Sequence, residues 1–106
     1  MNAREQLRML ILAVLDRQPE HGYAIAQAIN TRSEGLLRAR EGTLYPALHR
    51  LEKQDFIRGE FQTLPRGGSP VKVYTLTPTG TTELKAQREK YERFTRAVRG
   101  VIGGPA

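Results

Sequence analysis

Residues 42–53 constrain the fold of this chain more than any other segment, because they combine helical periodicity with an internal proline. Leu44, Leu48 and Leu51 recur at intervals of three and four residues, which predicts one apolar helix face packed on a core. The other face can donate hydrogen bonds to phosphates and base edges. Its polar side chains are Thr43, Tyr45, His49, Arg50 and Lys53. An ordinary amphipathic helix with a solvated polar face is the alternative interpretation.

Pro46 predicts where this helix begins. Proline lacks an N–H group and disfavours a helical conformation in the residue before it, so it is best tolerated in the first turn. If Thr43 is the N-cap, Pro46 occupies the third helical position, where an N–H group has no intrahelical partner. The amino end of the helix would then present free N–H groups and a positive dipole, which favour phosphate.

Three motifs in a fixed order resemble one known family. They are His21-Gly22-Tyr23-Ala24-Ile25, residues 42–52 and residues 74–80. From about Leu7 to the C-terminal helix, the chain resembles the PadR family of bacterial transcriptional regulators. The resemblance implies a mainly α fold with a small β-hairpin, a winged helix-turn-helix with N- and C-terminal dimerisation helices. It also implies a homodimeric repressor that binds a palindromic operator in double-stranded DNA, with residues 43–53 as the recognition helix.

The composition favours a polyanionic partner without locating the surface that contacts it. The net charge is +6, from 17 Lys and Arg against 11 Asp and Glu, and the isoelectric point is about 10.2. The basic excess is divided equally between residues 32–72 and residues 79–99, so charge alone does not select DNA. A chain of 106 residues has a modest core, and a dimer partner that covers leftover apolar surface is expected.

Several classes of function are not supported by the sequence. There is no cysteine, and the two isolated histidines have no carboxylates at ligand spacing, so we expect no metal site and no cofactor. We expect no enzyme, because there is no glycine-rich phosphate loop and the acids form no acid/base pair with a nucleophile. No run is long enough to cross a bilayer and the N-terminus lacks a signal-peptide pattern, which predicts a cytoplasmic protein without a membrane partner.

Before the central helix, the pattern predicts two helices and a turn. The first helix spans about Arg4 to Arg17 and is apolar on two sides, which indicates contact with its own domain and with a partner chain. The second helix runs from Gly22 to about Thr31, with His21 as a hydrogen-bonding turn residue. Residues 31–41 form the turn, in which a short strand that pairs with the wing is one option.

After the central helix, two strands around a Gly/Pro-rich loop predict a hairpin, the wing. Asp55 is expected in a left-handed turn before it, because Asp tolerates that conformation. The wing departs from the family pattern that the chain otherwise resembles, because Ser69, Val71 and Val73 stand where relatives usually have basic residues. Only Arg66 and Lys72 remain to contact phosphates, so wing contacts to DNA should be weak.

The chain is predicted to comprise a winged helix-turn-helix in residues 1–77, a dimerisation helix in residues 78–102 and a flexible tail in residues 103–106. Thr77 is a candidate N-cap for that helix, with Pro78 at its first position. Apolar residues seven apart indicate a seam that a second chain covers. The predicted dimer interface comprises Leu7, Leu10, Val14, Leu84, Tyr91, Phe94, Val98 and Ile102.

The predicted DNA contacts divide into base edges and phosphates. His49 and Arg50 are the candidates for base edges, whereas Thr43, Tyr45 and Lys53 are expected to anchor phosphates. The full set is Arg40, Thr43, Tyr45, Pro46, His49, Arg50, Lys53, Arg66 and Lys72. A winged-helix interaction module that docks an acidic protein partner is the alternative function.

The resemblance also implies a small-molecule effector at the dimer interface. Met9, Tyr91 and Phe94 could border its pocket. A packed interface without a ligand is the alternative interpretation of these side chains.

Overall fold

Four helices and a three-stranded antiparallel sheet build the chain, and the computed structural model describes residues 1–103. The sheet order is β1-β3-β2. Helices α1, α2 and α3 precede the β2–β3 hairpin, and α4 follows it, which makes the protein a mainly helical winged helix. The elements are α1 Ala3–Arg17, β1 Glu20–His21, α2 Gly22–Arg32, α3 Glu41–Lys53, β2 Ile57–Gln62, β3 Val71–Leu76 and α4 Pro78–Ile102.

The core lies where α1, α2, α3 and the first half of α4 meet the sheet. Leu44, Leu48 and Leu51 are buried, which confirms the predicted apolar face of α3. The interior is therefore shared between the first three helices and the base of the hairpin. The largest fully buried side chains are Ile11, Leu12, Ile25, Leu44, Leu48, Leu51, Ile57 and Leu84.

Side-chain caps fix the start of three helices, α1, α2 and α4, of which α1 and α4 concern the fold here. The Asn2 side chain accepts a hydrogen bond from the Glu5 N–H at 2.8 Å at the start of α1. Thr77 caps α4 as predicted, because its hydroxyl oxygen accepts from the Gly80 N–H at 3.0 Å. The same hydroxyl donates to the Asp55 carbonyl at 2.6 Å. Thr77 thus joins α4 to the turn that precedes the wing.

Helix α3 begins earlier than the sequence predicted. Its N-cap is Arg40 rather than Thr43, and no side-chain hydrogen bond caps it. Pro46 is therefore the sixth helical residue, not the third, and it removes the donor to the Gly42 carbonyl. Gly42 is exposed and its Cα has open space around it, so solvent can satisfy that carbonyl. The helix continues through Pro46 without a break.

The third strand of the sheet, β1, does not lie in the turn before α3. The short strand that was an option in residues 31–41 does not form there. Strand β1 instead precedes α2 and pairs with β3, with Glu20 opposite Tyr74 and His21 opposite Val73. This pairing places the start of α2 directly beside the wing.

Gly80 allows α4 to approach the turn before the wing. A Cβ atom at this position would lie 2.0 Å from the Phe56 carbonyl oxygen. Asp55 in the same turn has a φ of 63°, which confirms the predicted left-handed conformation. The glycine that weakens the first turn of α4 in isolation is therefore required by tertiary packing.

The end of α4 is set by Gly103. This residue adopts a left-handed conformation with a φ of 72°, and its N–H donates to the Arg99 carbonyl at 3.0 Å. Gly103 is thus a C-cap, whereas the rest of the predicted tail lies outside the described residues.

Two of the residues predicted at the dimer interface belong to the core of the single chain. Val14 is 3% exposed and Leu84 is 1% exposed, so neither offers surface to a second chain. The reason is that α1 and the first half of α4 pack on each other, which the heptad pattern alone does not reveal. The distal half of α4 remains uncovered, with exposed Tyr91, Phe94, Val98, Val101 and Ile102.

Three ion pairs fix the crossing of α1 and α4. Arg8 contacts Glu83 at 3.5 Å and Arg88 contacts Asp16 at 3.7 Å. Lys90 pairs with Glu5, and this hydrogen bond lowers the pKa of the Glu5 carboxyl.

None of the helices in the described part of the chain could span a lipid bilayer.

Candidate nucleic-acid interface

Helix α3 presents a ridge to solvent because its opposite face is anchored in the core. Successive residues turn by about 100° along a helix, so the residues opposite the buried leucines form one row. We call the exposed row Gly42, Pro46, His49 and Lys53 the α3 ridge. Of the predicted DNA contacts, it contains Pro46, His49 and Lys53.

The remaining predicted contacts of α3 lie on its two flanks. Tyr45 faces the wing, and Thr43 and Arg50 face the first turns of α1. Arg50 is partly buried and therefore lies beside the ridge rather than on it. Of the two residues predicted to contact base edges, His49 is therefore exposed on the ridge and Arg50 is not.

Arginines surround a groove on the α1 side of α3. The groove has a volume of about 570 Å³, and leucines from α1 and the turn before α3 contribute to its apolar lining. No carboxylate belongs to its lining residues. We call it the arginine groove, after Arg4, Arg38, Arg40 and Arg50.

The wing side of α3 carries less free positive charge. Lys72 donates a hydrogen bond to Glu52 at 2.9 Å, and its Nζ lies 5.6 Å from the centre of the Tyr74 ring. The hydrogen bond that Lys72 donates to Glu52 raises the pKa of Lys72. Because its charge is engaged by Glu52, Lys72 offers less to a phosphate than the sequence suggested, whereas Arg66 lies exposed in the wing loop.

A second groove separates the wing from the start of α2. It has a volume of about 340 Å³ and again has no carboxylate among its lining residues. Gly22 allows Tyr45 to pack here, since a Cβ at that position would lie 2.8 Å from the Tyr45 hydroxyl oxygen. We call it the aromatic groove, lined by Tyr23, Tyr45, Phe61, Arg66, Lys72 and Tyr74.

Sequence reasoning missed three residues beside the ridge. Arg4 lies in α1, far from α3 in sequence, and no local pattern indicates that it approaches Arg50. Phe61 shares a strand face with buried Ile57 but extends beyond the edge of the core, where it is 74% exposed. Tyr23 is part of the apolar pattern of α2, which favours burial, yet its side chain is 63% exposed.

His21 caps the start of α2. Its Nδ1 accepts a hydrogen bond from the Ala24 N–H at 3.4 Å, and its ring stacks on Tyr23. Within residues 1–103, no group of three or more metal-binding side chains occurs. The turn role predicted for His21 is therefore confirmed.

Comparison with known proteins identifies the family. The model of the transcriptional regulator PadR-like family matches residues 11–86, which include the α3 ridge and the wing. The chain belongs to the PadR-like family of transcriptional regulators. The matched range includes all three motifs of this PadR-like chain, residues 21–25, 42–52 and 74–80.

Individual relatives agree with this assignment. Over 101 residues the chain is 30% identical to the transcriptional regulator YqjI of Escherichia coli, covering 95% of this chain but only 46% of that protein. It is 32% identical over 97 residues to the transcriptional regulator Rv3488 of Mycobacterium tuberculosis, covering 92% and 86% of the two chains.

A solved structure shows the same architecture. A PadR family transcription regulator from Clostridium difficile R20291 superposes with a TM-score of 0.75 at 28% identity, covering 92% of this chain and 98% of the other. The PadR-like chain thus shares both sequence and fold with transcriptional regulators.

Proposed function

We propose that this PadR-like regulator binds DNA sequence-specifically as a homodimer and represses transcription, with α3 as the recognition helix of each chain. The observation that carries this proposal is the α3 ridge, which projects between two grooves without lining carboxylates. The major groove of B-DNA admits an α-helix, and the cations on the flanks of α3 could contact the phosphates on either side.

The position of each side chain suggests its role. His49 at the centre of the ridge reads a base edge, and Pro46 offers an apolar surface to a thymine methyl group. Lys53 contacts a phosphate at the far end of the helix. Thr43 and Arg50 contact the strand that lies along the arginine groove, while Tyr45 contacts the other strand.

The distal half of α4 supports a two-fold dimer. Its large apolar residues recur at heptad spacing from Leu84 onward, and those from Tyr91 on are exposed, although ion pairs still join Arg88 and Lys90 to α1. A second copy of the helix would cover this seam. Because such a dimer occupies both half-sites of an operator, it would exclude other proteins from a promoter, and repression is the proposed outcome.

Selection of bound duplexes from a random library at about 150 mM salt tests the proposal, since non-specific binding is weak at that ionic strength. A palindrome with half-sites about one helical turn apart is expected. Absence of an enriched motif, with protein shown to be folded and dimeric, would contradict unaided sequence-specific binding.

Two variants test the roles within α3. His49→Ala should cost about 1 to 3 kcal/mol of binding and relax the selected motif at one position. Arg50→Ala should weaken all sequences evenly and reduce the salt slope by about one. Identical effects of the two variants in a base-by-base scan of the operator would show that these assignments are wrong.

A protein-interaction module that docks an acidic partner remains the second candidate. The engagement of Lys72 by Glu52 favours it, because this contact leaves the wing with little free charge. Specific duplex binding that survives excess competitor DNA at the same salt concentration would exclude docking as the main role. The effector implied by the resemblance would be indicated if DNA binding required an added small molecule.

A further inference from the structure

Three large aromatic side chains are exposed on one side of the α3 ridge. Tyr23 is 63% exposed, Tyr45 is 46% exposed and Phe61 is 74% exposed. All three line the aromatic groove, although they come from α2, α3 and β2. An exposed apolar cluster assembled from three separate elements indicates an interaction surface.

Contacts within the chain hold two of these rings in place. The Tyr23 ring lies parallel to the His21 ring, with centroids 6.5 Å apart and planes 4° apart. The Tyr23 hydroxyl accepts a hydrogen bond from Gln27 at 3.3 Å, so its own proton can be donated to a ligand. Tyr45 packs over Gly22. A surface with positioned rings loses little side-chain entropy when it binds.

The charge of the groove selects the kind of partner. Two basic residues, Arg66 and Lys72, line the groove, and because Glu52 engages Lys72, Arg66 supplies its free positive charge. Tyr45 belongs both to this groove and to the flank of α3, so a ligand here is continuous with one that follows the recognition helix. Alternating apolar and anionic groups match this combination of rings and cations, and the sugar-phosphate backbone of DNA has that pattern.

We propose that the aromatic groove binds the backbone of one DNA strand beside the α3 ridge. Phe61 and Tyr23 pack on deoxyribose rings, and Arg66 contacts a phosphate. This inference rests on the proposed DNA-binding function. It assigns the wing an apolar contact in addition to its few cations. Because packing on a sugar releases no counterions, this part of the affinity is insensitive to salt.

The test measures operator affinity of the full chain at several salt concentrations. Phe61→Ala should weaken binding roughly three- to tenfold at every salt concentration, because partial burial of a phenyl ring is lost. The slope of log affinity against log salt and the selected motif should both stay unchanged. Phe61→Lys should instead steepen the slope by about one phosphate contact.

Leu36→Ala is the matched control, since Leu36 is 85% exposed and lies outside both grooves. It should bind as the unmodified chain does. If Phe61→Ala has no effect while Arg50→Ala weakens binding, the groove does not hold the backbone and the proposed function still stands. A changed motif for Phe61→Ala would overturn the inference in favour of base contacts by Phe61, and an equal loss for Leu36→Ala would also overturn it.

Discussion

At the scale of single residues, Tyr74 links the wing to the core. Its ring is 6% exposed and lies beneath the Lys72 ammonium group. Burial raises the pKa of the Tyr74 phenol, although the charge of Lys72 opposes this shift. The base of the wing therefore contains a phenol that resists ionisation in the folded chain.

The raised pKa of Tyr74 predicts that the folded chain loses stability at alkaline pH. An unfolded tyrosine ionises near pH 10, whereas the folded one keeps its proton to higher pH. Unfolding above about pH 10 therefore releases a proton, so the free energy of unfolding falls as pH rises. In Tyr74→Phe the decline between pH 9 and pH 11, roughly the range in which phenols titrate, should be shallower, as measured by urea unfolding. Exposed Tyr23 provides the control variant Tyr23→Phe, and an equal change in both would contradict the assignment.

At the scale of elements, α4 contains two glycines with opposite expected effects. Gly80→Ala should destabilise the chain by about 2 kcal/mol or more, because its Cβ would overlap the Phe56 carbonyl. Gly100→Ala should stabilise it by about 0.5 to 1 kcal/mol, since alanine favours helix and no atom lies within 4 Å of the new Cβ. Chemical denaturation of both variants measures the difference. Similar effects would mean that Gly80 is not required by packing.

Elements with strong local signals were predictable from the sequence. Helices α1, α2 and α4 begin and end within about one residue of their expected bounds, because apolar periodicity and caps such as Thr77 are local. The predicted start of α3 was wrong because the prediction restricted Pro46 to the first turn of the helix. Strand β1 was misplaced because two residues, Glu20 and His21, carry no periodic pattern.

The candidate site was less predictable than the fold. Periodicity gives the ridge and flanks of α3, and it places Lys53 and His49 outward. It does not show that Arg4 of α1 lies near Arg50, nor that Glu52 engages Lys72. These contacts depend on how separate elements pack, and no pattern within a single element contains that information.

At the scale of the whole molecule, the distal half of α4 predicts that assembly and DNA binding are coupled. Phe94→Glu should give a folded monomer, because Phe94 is 43% exposed on the uncovered seam and a carboxylate there opposes pairing. Operator affinity should fall about a hundredfold, because a monomer has one recognition helix and loses the gain in affinity that comes from two linked binding sites. Sedimentation velocity and DNA titration measure both effects.

Arg93→Ala is the control for this variant. Arg93 is exposed on the same helix and precedes Phe94 in the sequence, but it does not belong to the apolar seam. It should remain dimeric. A Phe94→Glu variant that is still dimeric and binds normally would place the dimer contact elsewhere.

The ion pairs between α1 and α4 have a mechanical consequence. Together with buried Leu84 they join the winged helix of each chain to its α4, and the last 15 residues of α4 extend about 22 Å at the usual rise per residue. In the proposed dimer each chain is therefore a lever that pivots where the two α4 helices cross. A small rotation at the pivot becomes a larger displacement of the two recognition helices, so the crossing angle of α4 sets the distance between half-sites.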